Sequence, residues 1–342
     1  MSGNSLIRVE ELTREFTIAE GRGGFIGSVC NLFSRRRSIK RAVDNISFSI
    51  EPGEFVGYVG ENGAGKSTTI KMLTGILVPT SGRVFVAGVE PCKDRESNSR
   101  NIGVVFGQRT QLWWDLPVRE SFDLLRSIFR VPDDVFYRNI EELSESLDLA
   151  PLLKVPVRKL SLGQRMRCDI AAALLHSPKI LYLDEPTIGL DIIAKDHVRK
   201  FLRRVNEERG TTIVLTTHDM DDIEALCGRI MILDEGRLVY DGPTGQLKRD
   251  YARERLLEVE FCDENGCEPL DLPMARVVRS EANKKWISFD RDKTPVQDVI
   301  SKLLATDCVK DISIHEPKVE DIVKNIYSNG YHQPKPEPQA DV

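Results

Sequence analysis

Long hydrophobic runs are missing from this sequence of 342 residues. The longest apolar stretches, such as 170–175 and 180–183, are far shorter than the ~18 residues that a membrane-spanning helix needs. The first ten residues also lack a basic segment followed by an apolar one, which a secretory signal would require. These absences predict a chain that does not itself cross a bilayer and that works in the cytosol.

Paired cysteines and an excess of basic charge are also missing. The seven cysteines are scattered and include no CxxC pair, which disfavours zinc and predicts reduced, mostly buried thiols. The net charge of -5 predicts no nucleic-acid partner, because domains that bind nucleic acids carry a strong basic excess. Hydrophobic residues make up 41% and charged residues 30%, a balance typical of a globular protein.

The order of apolar runs predicts more than one folded unit. From about residue 55 to 233, short strand-like runs alternate with amphipathic helical stretches, the pattern of a largely parallel sheet covered by helices. After Gly242-Pro243 a smaller α/β unit without a nucleotide motif follows, and the chain ends in a proline-rich polar stretch. We therefore predict a main α/β domain over 1–245, an accessory α/β domain over 246–326 and a disordered tail over 327–342.

A phosphate-binding loop is the clearest chemical motif. Residues 60–67 fit the pattern GxxxxGK[ST], directly after a predicted strand at 54–59 and before a predicted helix at 67–77. Glycines allow backbone N–H groups to face phosphates, Lys66 adds a positive charge there, and Ser67 offers a hydroxyl to Mg²⁺. The predicted ATP-binding residues of this segment are Gly60, Glu61, Asn62, Gly63, Ala64, Gly65, Lys66, Ser67 and Thr68.

Two adjacent carboxylates follow a later apolar run. Residues 180–183 form a predicted strand that ends in Asp184-Glu185, and carboxylates at a buried strand end are costly without a charge partner. Neighbouring side chains on a strand point to opposite faces, so the two can serve different roles. Asp184 is predicted to hold Mg²⁺, and Glu185 to be the general base that polarises the attacking water. Taken alone, the pair also fits a solvated acidic turn.

A short peptide upstream of these carboxylates carries a family resemblance. Residues 160–164, Leu-Ser-Leu-Gly-Gln, resemble the signature peptide of ATP-binding cassette (ABC) proteins, with Leu162 where the family most often has glycine. A predicted helix begins at this peptide, which suits an anion. The resemblance implies that the peptide reaches ATP held by a second subunit. The residues assigned to ATP in this way are Ser161, Gly163, Gln164 and, from a loop that resembles the family's subunit-contact loop, Asp191.

Two further positions take their roles from the same resemblance. Gln108 follows a strand-like run at 102–106, like the family's glutamine that reaches Mg²⁺ or the attacking water. His218 follows a predicted strand at 212–216, like the family's histidine that contacts the terminal phosphate. The resemblance therefore implies Glu185 and His218 as the catalytic residues and ATP with Mg²⁺ as the cofactors.

An apparent insertion at 21–41 separates the opening segment from the phosphate loop. The resemblance implies an aromatic that stacks on adenine; Phe16 is the candidate, with Phe25 and Phe33 inside the insertion as alternatives. The apolar residues of the insertion are followed by a basic run, which fits a membrane surface or a permease contact. A short helix packed on the main domain with a solvated charged end fits equally well.

The resemblance covers about residues 5–245 and implies a P-loop NTPase fold, the ABC nucleotide-binding domain with a helical subdomain. Residues 68–73, 107–114 and 317–322 resemble ATPases of ABC-2 type exporters. Such ATPases work with separate permease chains, which places this chain at the cytoplasmic face of the membrane as a peripheral subunit. Because the chain has one motif set, a homodimer or a heterodimer with a similar subunit is implied.

Two adjacent aromatic residues follow Gln108 and indicate a surface that contacts a partner protein. Trp113 and Trp114 are predicted to form a contact surface, because aromatics dominate interface energetics, and the family resemblance implies that the permease binds there. The alternative is that one Trp is a core residue and the other shields it. Rival functions are an importer ATPase, a soluble ABC ATPase acting on ribosomes or DNA, and a nucleotide-gated adaptor. The single motif set and the acidic balance disfavour the soluble class, and Glu185 disfavours the adaptor.

Overall fold

The structure is a computed structural model that describes residues 5–19, 37–107, 109–251, 254–262, 275–290, 294–305, 308–315 and 318–329. The chain divides into two compact units, Met1–Asp241 and Gly242–Val342. In the first unit, α/β architecture with a mixed set of sheets confirms the predicted fold class.

A six-stranded sheet forms the centre of the first unit. Its order is β5 (Ile102–Phe106), β6 (Ile180–Asp184), β7 (Thr212–Thr216), β3 (Phe55–Gly60), β8 (Arg229–Asp234) and β9 (Arg237–Pro243). The neighbouring strands from β5 to β8 are parallel. β6, β7 and β3 are almost wholly buried, as continuous apolar runs in a covered parallel sheet should be. The carboxyl ends of these strands therefore meet at one edge, where ligands bind in open α/β sheets.

A second sheet is antiparallel and has the order β2 (Arg37–Ile50), β1 (Ile7–Ala19) and β4 (Ser81–Val86). Its buried face, with Ile7, Leu12 and Ile46, shares one hydrophobic core with the six-stranded sheet. Residues 37–41, part of the insertion predicted at 21–41, are paired strand in β2. The apolar part of that insertion, with Phe25 and Phe33, lies outside the described residues.

The helices of the first unit are α1 (Lys66–Leu73), α2 (Arg95–Asn101), α3 (Val118–Phe129), α4 (Asp133–Leu147), α5 (Leu162–Leu174), α6 (Ile192–Arg209) and α7 (Met220–Leu226). The apolar residues of α6 recur at i, i+3, i+4 and i+7 and are buried, namely Val198, Phe201, Leu202 and Val205. The helix ends at Gly210, which takes a left-handed φ of 64°. The helix predicted over 67–77 ends earlier, at Leu73, because Gly75 takes a φ of 76° that a helix cannot continue.

The second unit contains α8 (Thr244–Tyr251), β10 (Glu254–Phe261), β11 (Ala275–Glu281), β12 (Lys284–Asp290), α9 (Val296–Leu304), β13 (Val309–His315) and α10 (Val319–Asn329). Its sheet has the order β11-β12-β10-β13 and is antiparallel. Alternate residues of β10 and β12, including Phe261 and Phe289, form a core with Val299 and Leu303 of α9. This unit has its own hydrophobic core.

The cysteines only partly follow the sequence-based prediction. Cys168 and Cys227 are buried thiols, whereas Cys92 and Cys262 are exposed thiols. Cys308 is disulfide-bonded, so the prediction of reduced thiols is wrong for this residue. The spacing of cysteines along a chain does not reveal which of them the fold brings within bonding distance.

Candidate nucleotide site

The phosphate loop, residues 60–67, joins β3 to α1. Gly63 and Gly65 take φ values of 91° and 107°, which are left-handed. A Cβ on Gly65 would lie 2.2 Å from the carbonyl oxygen of Ala42 in β2, so only glycine fits this close approach. The first turn of α1 also leaves backbone N–H groups without helical partners. The loop is therefore built as an anion site.

Lys66 is held inside this loop by the loop's own backbone. Its side chain is 8% exposed, and Nζ donates to the carbonyl oxygens of Gly60 at 2.6 Å and Glu61 at 3.1 Å. Burial lowers the pKa of Lys66 below its ordinary value, while the charges of Glu185 and Asp184 oppose that shift. The ammonium group is thus fixed next to two carboxylates rather than free in solvent.

Asp184 connects the phosphate loop to the adjacent strand β7. Oδ2 accepts a hydrogen bond from Ser67 Oγ at 3.3 Å, and Oδ1 accepts one from Thr216 Oγ1. The sequence predicted the nearness of Ser67 and Asp184 but gave no role to Thr216. A threonine at the end of a strand belongs to no motif, so only the pairing of β6 with β7 reveals its contact.

Glu185 follows Asp184 with a left-handed φ of 57°, an unusual conformation for a residue other than glycine. Its N–H donates to the carbonyl oxygen of Thr216 at 2.9 Å. Its Oε2 lies 2.8 Å from Nδ1 of His218, whose side chain is 66% exposed. Strained backbone of this kind persists only where the surroundings fix it, and it is frequent at functional sites.

Gly107 packs directly against the two carboxylate residues. Its N–H donates to the carbonyl oxygen of Asp184 at 2.7 Å, and an added Cβ would lie 2.4 Å from the carbonyl oxygen of Glu185. A side chain at this position would displace Glu185 from its strained conformation. The residue that follows, Gln108, lies outside the described residues, so its predicted contact with Mg²⁺ stays a prediction.

A cavity of about 530 Å³ opens in front of these groups. Its volume is within the range of small-ligand sites. The predicted residues that line it are Asn62, Gly63, Gly65, Lys66, Ser67, Thr68, Asp184 and Glu185. Further lining residues, not predicted, are Lys71, Ile76, Phe106, Gly107 and Arg109. Lys71 could have been found from its spacing, because it lies one helical turn after Ser67 in α1.

The donors in this cavity fit Mg²⁺ with a phosphate ligand. The described residues contain no cluster of three or more His, Cys, Asp or Glu that could hold a metal ion by itself. Ser67 Oγ and the Asp184 carboxylate are hard oxygen ligands, and Mg²⁺ is usually bound by one or two such groups together with water and substrate phosphates. The site therefore suits an ion that arrives with a nucleotide.

Comparison with known proteins agrees with this geometry. Residues 43–188 match the family model described as ABC transporter. The ABC transporter ATP-binding protein NatA of Bacillus subtilis (strain 168) is 32% identical over 67% of this chain and 92% of its own length. The methionine import ATP-binding protein MetN of Geobacillus kaustophilus is 38% identical over 63% of this chain and 64% of its own length.

This chain belongs to the ABC transporter ATPase family. A solved dimeric ABC cassette, MJ0796 in a post-hydrolysis state bound to ADP and Pi, superimposes with a TM-score of 0.59 at 26% identity, covering 69% of this chain and 98% of that one. ABC cassettes bind and hydrolyse ATP, and this chain is an ATPase. In the described part of the chain, no helix has the length and apolar character needed to cross a membrane.

The peptide that resembles the ABC signature, residues 160–164, lies at the start of helix α5. Ser161 is its N-cap: Ser161 Oγ accepts from Gln164 N at 3.2 Å, and Gln164 Oε1 accepts from Ser161 N at 2.9 Å. The side chain of Leu162 packs against Gly189, since an added Cβ on Gly189 would lie 2.6 Å from Leu162 Cδ2. Asp191 caps α6 by accepting from Ala194 N at 2.8 Å.

None of the four residues predicted to act in trans lines the nucleotide cavity of their own chain. Ser161, Gly163 and Gln164 occupy the start of α5, and Asp191 occupies the start of α6. Their placement agrees with a role toward a second subunit, which stays a prediction.

Three aromatic predictions fall on exposed positions. Phe16 is 36% exposed, pairs with Lys40 across the β1–β2 ladder and lies 4.7 Å from the guanidinium of Arg14; it does not line the cavity. Trp113 and Trp114 are 38% and 51% exposed. Neither Trp is therefore a core residue, and the alternative in which one of them is buried is wrong.

Proposed function

We propose that this chain is the ATP-hydrolysing subunit of an ABC-2 type exporter and drives a separate membrane permease. The observation that carries the proposal is the position of two exposed tryptophans, Trp113 and Trp114, on the segment that follows Gly107. Gly107 contacts Asp184 and Glu185, so this segment joins an apolar surface to the hydrolytic carboxylates. The sequence resemblance to ABC-2 ATPases at 68–73, 107–114 and 317–322 supports the same assignment.

Hydrolysis follows from the groups that surround the cavity. Lys66 and the free N–H groups of α1 hold the phosphates, and Ser67 with Asp184 holds Mg²⁺, which neutralises phosphate charge when bound. Glu185 takes a proton from the attacking water at a carboxylate oxygen. His218 contacts that carboxylate through Nδ1 and leaves its other ring nitrogen for the terminal phosphate.

A second subunit completes the site in this proposal. Ser161, Gly163, Gln164 and Asp191 approach the ATP of the facing chain, so two chains enclose two nucleotides. ATP then favours the closed dimer, and hydrolysis favours separation, because the nucleotide binds the two states with different affinity. The permease follows this cycle through Trp113 and Trp114. The chain acts as a peripheral subunit at the cytoplasmic face of the membrane.

The domain roles belong to the same proposal. Residues 1–245 act as the cassette, and 246–326 act as an accessory domain that stabilises the dimer. Deleting 25–33 is expected to uncouple the chain from membranes and to spare nucleotide binding; unchanged binding to liposomes and to the permease would contradict this.

Affinity purification from detergent-solubilised membranes tests the proposal. The bait is the Glu185→Gln chain with ATP, and the matched control carries Trp113→Ala and Trp114→Ala in addition. We expect a multi-span membrane protein that is recovered with the bait and lost with the control. Recovery of ribosomal or DNA-bound proteins equally with both baits would instead support the soluble class of ABC ATPase.

Direction of transport needs a separate assay, because one relative is named an importer ATPase. Vesicles containing the identified permease and this chain are supplied with ATP on the side where the chain binds. Export predicts movement of substrate away from that side. Movement toward it would replace the exporter by an importer and leave the ATPase assignment intact.

A further inference from the structure

Helix α6 carries a row of three basic residues that contact helix α7. Lys195, Arg199 and Arg203 are spaced four residues apart, so they share one face of the helix. Lys195 Nζ lies 2.5 Å from Asp219 Oδ2, and Arg203 Nη2 donates to the carbonyl oxygen of Ala225 at 2.5 Å. Arg199 occupies the centre of the row. Two neighbouring helices are therefore joined by polar contacts along their length.

The partner of Arg199 is a carboxylate with no exposure to solvent. Asp222 in α7 has 0% exposed surface. Its Oδ1 accepts from Arg199 Nε at 2.5 Å, and its Oδ2 accepts from Thr187 Oγ1 at 2.5 Å. A buried carboxylate is costly unless such partners hold it, and removing one partner leaves its charge uncompensated. Arg199, Asp222 and Thr187 form a hydrogen-bonded unit, which we call the Asp222 clamp.

Two residues of the clamp are close in sequence to the Glu185–His218 pair. Thr187 is two residues after Glu185, and Asp222 is four residues after His218. Asp219, which immediately follows His218, caps α7 and receives the charges of Lys195 and, at 3.8 Å, Arg199. The segment after Glu185 is thus linked to Arg199 of α6 through Thr187 and Asp222. The segment after His218 is linked to Lys195 of the same helix through Asp219.

The electrostatics of Asp219 agree with this arrangement. Burial raises the pKa of Asp219, but Lys195 and Arg199 outweigh burial and keep it below its ordinary value. Asp219 is therefore ionised and paired next to His218. Glu185 itself has the left-handed φ of 57° that requires support from its surroundings.

We propose that Arg199, Thr187 and Asp222 are positioning residues that hold His218 against Glu185 during ATP hydrolysis. The inference rests on the proposed roles of Glu185 and His218. Because α6 begins at Asp191, movement at the start of this helix reaches the catalytic pair through the same clamp.

A double-mutant cycle between Arg199→Gln and His218→Ala tests the proposal. The full-length chain is assayed for steady-state and single-turnover hydrolysis of radiolabelled ATP, and for equilibrium ATP binding. Arg199→Gln alone is expected to lower kcat by about tenfold or more with ATP affinity changed by less than about twofold. In the His218→Ala background, the same substitution is expected to add less than about a twofold loss.

Two controls and one substitute variant separate positioning from general destabilisation. Lys200→Gln removes a neighbouring surface charge of α6, 70% exposed and paired with Asp196, and should leave kcat unchanged. Arg199→Lys keeps the charge and should restore part of kcat. If Arg199→Gln fails to fold, Thr187→Val removes only one hydroxyl donor from Asp222 and enters the same cycle.

An equal fold loss of kcat in both backgrounds would overturn the clamp, because the residues would then act independently of His218. Parallel loss of ATP affinity and kcat would overturn it as well. If Glu185→Gln and His218→Ala themselves leave hydrolysis unchanged, the proposed function fails instead. The two failures are therefore distinguishable.

Discussion

Oε2 of Glu185 lies 2.8 Å from Nδ1 of His218, although the two residues follow different strands. Glu185 comes after β6 and His218 comes after β7, which are paired in parallel. Thr216, the last residue of β7, accepts the N–H of Glu185 and donates its hydroxyl to Asp184. The pairing of β6 with β7 thus brings Asp184, Glu185 and His218 together.

Thr216→Val is expected to weaken the binding of Mg²⁺. The substitution removes the hydroxyl that orients Asp184 Oδ1, and loss of a group that orients a metal ligand typically costs about 10–100-fold in metal affinity. ATP hydrolysis measured against Mg²⁺ concentration should show a half-saturation shifted upward by at least about tenfold. Thr212→Val, at the other end of β7, loses a hydrogen bond to Gly53 and serves as the matched control. Identical Mg²⁺ curves for both variants would contradict the role of Thr216.

Arg109→Gln is expected to weaken ATP binding. Arg109 lines the nucleotide cavity with Lys66, where a guanidinium attracts phosphate oxygens. Removing a charge-assisted contact of about 1–2 kcal/mol should raise KM for ATP roughly five- to thirtyfold, with a smaller effect on kcat. Arg100→Gln, which affects only an exposed pair with Glu96, is the control. A KM that equals the unmutated value would place Arg109 outside the binding machinery.

The buried carboxyl of Asp169 predicts a pH-dependent stability difference. Asp169, in α5, is 5% exposed and accepts from Thr110 Oγ1 at 2.8 Å and Gln111 N at 3.1 Å. Burial raises its pKa from 3.8 to about 6, while those hydrogen bonds and Arg165 oppose the shift. The folded state therefore binds a proton more tightly than the unfolded state, and stability from this group falls as pH rises from about 4 to 6.

Asp169→Asn removes this titration and keeps a hydrogen-bond acceptor. The unfolding free energy of the variant minus that of the unmutated chain should increase by roughly 1–3 kcal/mol between pH 4 and pH 7. Urea denaturation at both pH values measures the difference, with the exposed Asp115→Asn as control. If this difference in unfolding free energy decreased as the pH rises, it would contradict a raised pKa for Asp169.

Much of this site could be predicted from sequence, because several of its parts are local. The phosphate loop and the strand that ends in Asp184 are each a short, continuous stretch of sequence. Such stretches can be recognised without knowing which distant residues they contact. The bounds of β7 were predicted for the same reason. Other predicted roles involve Mg²⁺, the nucleotide or a second subunit, and they stay predictions. They are those of Gln108, Phe16 and the residues assigned in trans.

The contacts that hold the site together were not predictable. Thr216 meets Asp184 only because β6 and β7 are neighbours in the order β5-β6-β7-β3, which the sequence does not state. In the sequence, Asp222 is one of several acidic residues at a polar helix start, which would suggest an exposed side chain. The packing of α6 on α7 nevertheless buries it completely. The disulfide at Cys308 depends on tertiary proximity in the same way.

Mixing two inactive variants tests whether the signature peptide acts in trans. Lys66→Ala disables the phosphate loop, and Gly163→Asp places a carboxylate in the first turn of α5, where the nearest atom is 3.5 Å from the added Cβ. Aspartate suits a helix N-terminus, so the fold should tolerate it. Each variant alone should be inactive, whereas an equal mixture should recover about a quarter of full activity, because half the dimers contain one intact site. Absence of recovery at every ratio would contradict the shared site.

ATP hydrolysis by Glu185→Gln tests the central claim most directly. Glutamine keeps the size of the side chain but cannot accept the proton of the attacking water. The account predicts a kcat lowered by at least about 100-fold with ATP binding retained, and an unchanged kcat for the exposed control Glu207→Gln. A Glu185→Gln chain that hydrolyses ATP at the unmutated rate would contradict the account.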